Sequence, residues 1–368
     1  MFSQMADNEF IKNFICDDTA DVADLPTHDR PGCTAYVIAT DSKYMLNHQG
    51  QWIKITPDKE EDKVNELLNN EVLSNGEVVA TLKDAIQNAK GKVEIKMLND
   101  ATLDEVINVP AGAEVVLDLN GHAITSAADI NYAGGMITVV HGGSLVINGE
   151  GTINANASGL MAALQLTNKN FADDTKVARI EINGGHIIGR DYCVCGNGNP
   201  GRGNSEVVIN GGVFETISHT GSAIFNPQEN SKVIINGGKI VGCATGIEMR
   251  SGDLTVNYGQ IEALSAPASV SPNGNGTTAV GCAVAICQHT TKKPINVEIN
   301  GGILRGYHAL YQANPQKNDE AAVALVKMNV KDGSFVAVNS TIPVYSENKT
   351  GFIHGGRFSH PVEAAYYA

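Results

Sequence analysis

The chain is short of several things that a compact enzyme or a secreted scaffold needs. It has one Trp, and aromatic residues make up 5% of its 368 residues, too few for a thick globular core or a rich sugar-stacking surface. No apolar run approaches the roughly 20 residues that span a bilayer. Acids interrupt Met1 to Ile15, so neither a secretory leader nor membrane insertion is expected, and a bacterial surface adhesin is disfavoured. Positive charge is scarce, with 26 Lys and Arg against 40 Asp and Glu and a net charge of −14, so nucleic acid is not an expected partner. Of that net charge, −7 lies in the first 70 residues, which points to a basic or polar surface as the partner of the N-terminal part. The seven Cys (16, 33, 193, 195, 243, 282, 287) are odd in number and show no C-x-x-C pair. They read as reduced thiols of a protein made in the cytoplasm, with no metal and no cofactor.

What the chain does have is a phrase that returns: an apolar or β-branched pair, then Asn-Gly-Gly, then another apolar residue. It stands around Asn148, Asn183, Asn210, Asn236 and Asn300, with weaker copies at Asn120, Asn257, Lys331 and His354. The intervals run from 21 to 43 residues, the mark of a repeat architecture. Val and Ile alternate within each unit, broken by Gly pairs and with no helical spacing, so the units are strands and tight turns. A second strand follows each Gly pair, centred on Val194, Ile224, Ile247, Ile286, Leu310 and Val344.

The fold class expected is all-β, a right-handed single-stranded parallel β-helix (a pectin-lyase-like solenoid) with two or three strands per coil. A small N-terminal β-hairpin module and short helices precede it. Asn148, Asn183, Asn210, Asn236, Asn257 and Asn300 should form a structural ladder inside a turn, each amide bonding to the next coil, while Gly supplies positive φ at the corner.

Taken in order, residues 1–18 read as an N-terminal arm that orders against a partner. Residues 19–56 form a small β module with a hairpin between Tyr44–Leu46 and Trp52–Ile55. Residues 57–92 form a helical linker and cap. One helix opens at Thr56-Pro57-Asp58, with Val64, Leu67, Leu68 and Val72 as its stripe. A second runs from Thr81 to Lys90 and presents Leu82, Ala85, Ile86 and Ala89 to the first coil. The β-helix occupies 93–368, with polar stretches at 168–174 and 267–278 that read as loops or an extra coil and a far cap at 361–368.

The stretch "ADVADLPT…PGCTAYVIATDSKYMLNHQGQWIKI" resembles the short N-terminal module of bacteriophage head fibre and related virion proteins. It covers Thr19 to Ile55, and the Tyr44–Trp52 hairpin is its most specific part. The resemblance implies a trimeric base attached to the major capsid protein or another virion protein, with Leu25, Pro26, Tyr36, Tyr44, Leu46 and Trp52 as its anchoring or trimer residues. It also implies residence on the virion surface.

Parallel β-helices often carry polysaccharide lyases or glycosidases, whose chemistry needs paired carboxylates or a Ca-binding acid cluster. If Ile247 and its equivalents point inward, the outward column beside them reads Cys195, Phe225, Glu248, Cys287, Tyr311, Tyr345, with one acid and no pair. Glu181 and Glu298 share a repeat position but have Val208, Ile234 and Thr255 between them. No catalytic residue is assigned. Phe225, Tyr311 and Tyr345, facing outward, would instead meet another copy in a homotrimer or stack on host glycans. The reading is a non-enzymatic virion protein, a capsid-decorating head fibre. The alternative is a tail-spike-like polysaccharide depolymerase or a tail-associated receptor-binding protein.

Overall fold

The computed structural model describes residues 2–8, 11–29, 33–55, 70–130, 134–167, 173, 175–268 and 278–368. The chain divides into two units, Met1–Asn69 and Asn70–Ala368. The helix expected from Thr56, with Val64, Leu67 and Leu68, falls outside the described residues. Val72, placed on that helix by its spacing, lies instead in a strand, Val72–Ser74, where it is fully buried.

The first unit is one five-stranded sheet in the order β1 (Phe2–Asn8), β2 (Ile11–Cys16), β3 (Thr34–Val37), β4 (Ser42–Leu46), β5 (Trp52–Lys54). Residues 1–18 are therefore not a separate arm. β1 and β2 pair antiparallel, and β2 runs parallel to β3, joining the sheet of the β module. A parallel pair needs a crossover. Here the crossover is the segment between Cys16 and Thr34, with a 3-10 turn at Ala20–Asp24. Its Val22, Leu25 and Cys33 cover one face of the sheet, against Phe14, Cys16, Ala35, Val37 and Leu46. Trp52 meets Phe14 edge-on at 5.8 Å, and its indole N–H donates to the Pro26 carbonyl at 3.3 Å. The β4–β5 hairpin turns where Asn47 Oδ1 accepts from the backbone N–H groups of Gln49 and Gln51, both at 2.9 Å.

The second unit is built of three long sheets with 11, 10 and 9 strands. Successive strands go to the first, second and third sheet in turn, then start again. One such round is Ser205–Ile209, Val213–Thr216 and Ser222–Asn226. Each strand pairs in parallel with its equivalents in the rounds before and after, an arrangement consistent with a β-solenoid of stacked rounds.

Period-2 alternation explains the interior. In the first sheet the inward positions stack as Ile95, Leu117, Ile147, Ile182, Ile209, Ile235, Val256 and Ile299, all essentially without exposure. In the second sheet the inward column runs Ile124, Ile153, Ile187, Phe214, Ile240, Ile261, Leu304 and Phe335. Like stacks on like with little void. Truncating one such Ile to Ala costs roughly 2–5 kcal/mol.

Both ends are closed. Helix α1 (Leu82–Gln87) is capped by Thr81, whose side chain accepts from the Asp84 N–H. It buries Leu82, Ala85 and Ile86, with Ala89 following. The antiparallel hairpin Val72–Ser74/Glu77–Val79 finishes the first sheet's leading edge. At the far end Tyr366 is buried, and its hydroxyl donates to Ser346 O at 2.9 Å and accepts from Ser346 N–H at 3.0 Å. Such closures remove the exposed apolar cross-section and free edge that a stack of strands would otherwise present.

Candidate functional site

In the first unit the strand parity decides which side chains face outward. Tyr36 pairs with Lys43 and Met45 with Ile53, and these lie on the face opposite the core. Tyr36, Ile38, Met45, Ile53 and Ile55 are all exposed, at 39–57%. A sheet this small with one face on its own core and an apolar opposite face has a surface that another molecule can cover. The anchoring residues expected from the sequence divide accordingly. Leu25 and Leu46 are core, at 3% and 1% exposure, and Trp52 and Tyr44 pack against that core. Pro26 contributes its carbonyl to Trp52. Only Tyr36 belongs to the outward apolar face. The reason is that β4 is apolar on both sides, so Tyr44 and Leu46 could not be told from Met45 by composition.

In the second unit the Asn ladder is formed. Asn183 Nδ2 donates to Asn148 Oδ1 at 2.8 Å, Asn210 to Asn183 at 2.7 Å, Asn236 to Asn210 at 2.8 Å, Asn257 to Asn236 at 2.8 Å and Asn300 to Asn257 at 2.9 Å. The ladder stands on the outside of the corner, half-exposed to exposed, rather than inside the turn. Asn120 is not part of it. Register puts Asp118 opposite Asn148, and Asn120 Nδ2 instead donates to Met97 O. The glycines after each Asn differ from one another. The second has positive φ, +82° at Gly185, +89° at Gly212, +83° at Gly238 and +92° at Gly302. In these four Asn-Gly-Gly copies the first does not, but a Cβ there would sit 2.5–2.7 Å from a backbone oxygen of the previous round.

The outer face of the third sheet carries the column Cys195, Phe225, Glu248, Ala285, Tyr311, Tyr345. Ala285 stands where Cys287 was expected, because Val284 and not Ile286 pairs with Ile247. The long connection after Ala263 hides that two-residue difference. The column does not form an open aromatic face. Phe225 is 7% exposed and stacks on Tyr192 with centroids 4.9 Å apart. Tyr311 stacks on Tyr345 at 5.2 Å, and His308 on Tyr311 at 5.4 Å. Rings stacked along the rounds present their faces to each other, so Phe225, Tyr311 and Tyr345 are engaged within the chain. Burial pushes the Tyr311 phenol up and holds His308 below its usual range.

Glu248 on this face is fully buried. Its carboxylate accepts from the Thr278 N–H at 2.8 and 3.0 Å and from the Thr278 hydroxyl at 2.5 Å. Burial raises its pKa to about 7, against the lowering effect of Thr278 and the nearby Arg250. Arg250 is itself fully buried, and its pKa is lowered by that burial. Glu248 therefore fastens Thr278 to the third sheet, a contact across 30 residues that no local pattern announces.

Compared with known protein families, curated proteins and solved structures, the chain matches none. Function must therefore be argued from these surfaces. Among the described residues no group of three or more His, Cys, Asp or Glu is placed to hold a metal, and no helix is long and apolar enough to cross a membrane. Register confirms Val208, Ile234 and Thr255 between Glu181 and Glu298. Glu181 and Glu206 both bind Arg179, at 2.8 and 2.7 Å. The second sheet holds an acid pair that sequence reading missed. Glu215 and Glu262 share one outward column with Val241 between them. Two strand spacings put them about 9.5 Å apart, and Glu215 is paired with His186 at 3.0 Å.

Proposed function

We propose that the chain is a structural virion protein. In this reading it is a capsid-decorating head fibre whose second unit is a right-handed single-stranded parallel β-helix, and whose first unit docks on the virion as a homotrimer. The projecting β-helix touches host-surface or mucosal glycans. The observation that carries the docking is the outward apolar face Tyr36, Ile38, Met45, Ile53 and Ile55, on a unit whose own core is already complete. The resemblance of residues 19–55 to head-fibre modules supplies the partner class. The ordered stack of rounds supports a rigid shaft.

The test is full-length protein against the double variant Ile38→Lys/Ile53→Lys, measured by light scattering and by co-sedimentation with capsids of the virion whose genome encodes the chain. The reading expects a trimer that sediments with capsids, and a folded variant that does neither. A wild-type monomer that stays in the supernatant would contradict it.

One observation favours the depolymerase alternative. Glu215 and Glu262 stand two strand spacings apart on one outward column, a backbone separation of about 9.5 Å, beside the about 6.5–9.5 Å between carboxyl groups in inverting glycosidases. Release of reducing ends from host polysaccharide, abolished by both Glu215→Gln and Glu262→Gln, would establish that reading in place of the fibre.

A further inference from the structure

Near the capped end of the second unit, a cavity of about 580 Å³ lies between helix α1, the first rounds of the third sheet and the segment around Lys176. That size is within the about 300–1,000 Å³ of small-ligand sites. Its polar groups are of mixed kind: the amides of Gln87 and Asn108, the carboxylate of Asp173 and the ammonium of Lys176. Among the described residues the remaining wall is apolar, from Pro110, Ala111 and Val140, with the ring of His141 beside them.

His141 is 2% exposed and is held at both nitrogens. Its Nδ1 accepts from the Asp173 N–H at 2.7 Å, so Nε2 carries the proton and donates to Gly203 O at 2.7 Å. The imidazole thereby fixes the wall to two separate connections, which is what a site formed in advance of its ligand requires.

We propose that this cavity binds a short neutral oligosaccharide, which deepens the glycan-contacting part of the reading above. The chemistry selects that class. A phosphate or sulfate would call for several cations, whereas the one ammonium among the described lining residues is already paired with Asp173 at 3.1 Å. A wholly apolar ligand would strip water from two amides and an ion pair without replacing their hydrogen bonds. A sugar offers vicinal hydroxyls that both donate and accept, and an apolar C–H face to lie against Pro110 and Ala111.

The experiment is titration calorimetry and saturation-transfer NMR on the full chain with lactose, maltose, cellobiose and diacetylchitobiose. Inorganic phosphate and glucuronate serve as charged comparators, and thermal melts confirm folding of each variant. The proposal expects at least one neutral disaccharide to bind, with affinity reduced about 5- to 50-fold in both Asn108→Ala and Gln87→Ala. Tyr345→Ala at the far end should leave it unchanged. No binding by any of the four, binding unaltered in both cavity variants, or tighter binding of phosphate or glucuronate would each overturn it. Capsid co-sedimentation of the same variants separates the two claims. Sugar binding without capsid attachment sinks the virion reading alone, and attachment without sugar binding sinks only the cavity assignment.

Discussion

The first glycine of each Asn-Gly-Gly turn gives a prediction whose sign differs from the usual rule. At a glycine of ordinary φ, Gly→Ala stabilises by about 0.4–1 kcal/mol, because the unfolded chain loses freedom. Gly237 has no positive φ, yet a Cβ there would lie 2.5 Å from the Asn210 carbonyl oxygen of the previous round. Ordinary contact begins near 3.4 Å, so the two rounds would have to part by several tenths of an ångström. Asn210 cannot move freely, since its side chain is hydrogen-bonded to Asn183 and Asn236. Overpacking against a fixed neighbour costs about 1–3 kcal/mol, and the upper half applies to a backbone atom. Set against the unfolded-state gain, Gly237→Ala should destabilise by about 2 kcal/mol. That corresponds to a melting temperature lower by about 3 °C for a unit of this size. Urea titration followed by both circular dichroism and Trp-independent near-UV absorbance is the assay, two probes being needed because repeat arrays can unfold in parts. A Gly237→Ala chain as stable as the parent, or more so, would refute the close approach of rounds at this corner.

Other consequences can be measured on the same material. Asn210→Ala removes two ladder bonds and should cost roughly 1–3 kcal/mol in the same urea titration. Burial raises the pKa of Glu248 in the folded chain to about 7 from an ordinary carboxylate value of about 4.5. The native state therefore binds the extra proton, and stability from this group is present below about pH 4.5 and lost as pH rises through 7, by about 3 kcal/mol. Glu248→Gln should flatten the stability profile between pH 5 and 8, and an unchanged slope would count against the burial. Six of the seven thiols are buried and Cys243 is half-exposed. Burial pushes Cys193 and Cys195 up to about 12. Brief maleimide treatment at neutral pH should label Cys243 alone by mass spectrometry, and the rest only in denaturant.

The parts of this architecture that were legible in the sequence are those with short-range causes. Alternating Val and Ile with Asn-Gly-Gly corners identified stacked parallel strands and the ladder from Asn148 to Asn300, and Thr81 with Leu82, Ala85 and Ile86 identified the capping helix. Four things were not legible. Asp118 holds the corner position that Asn120 imitates, because the turn chemistry of Asn-Gly resembles the motif although the register is two residues off. Ala285 rather than Cys287 follows Glu248, because the 18-residue connection before Cys282 conceals the count. The outward face of the first unit was missed because parity on a strand apolar on both sides is set by the crossover segment carrying Val22 and Leu25. Glu248 beneath Thr278 was likewise invisible, being a contact between residues 30 apart in the chain.

The central claim is that each round adds one strand spacing however many residues it contains. Spin labels placed pairwise in the outward column Lys92, Glu114, Ser144, Arg179, Glu206, Lys232, Asp253, Asn296 and Lys327 test it by pulsed electron-spin distance measurement, in a Cys243→Ser background. At about 4.8 Å per round, Lys92 to Lys232 should measure about 24 Å, Lys92 to Asn296 about 34 Å and Lys92 to Lys327 about 38 Å. The 43-residue step from Asp253 to Asn296 should add no more than the 21-residue step from Lys232 to Asp253. Distances that followed residue separation instead of round number, or that scattered without order, would contradict the account.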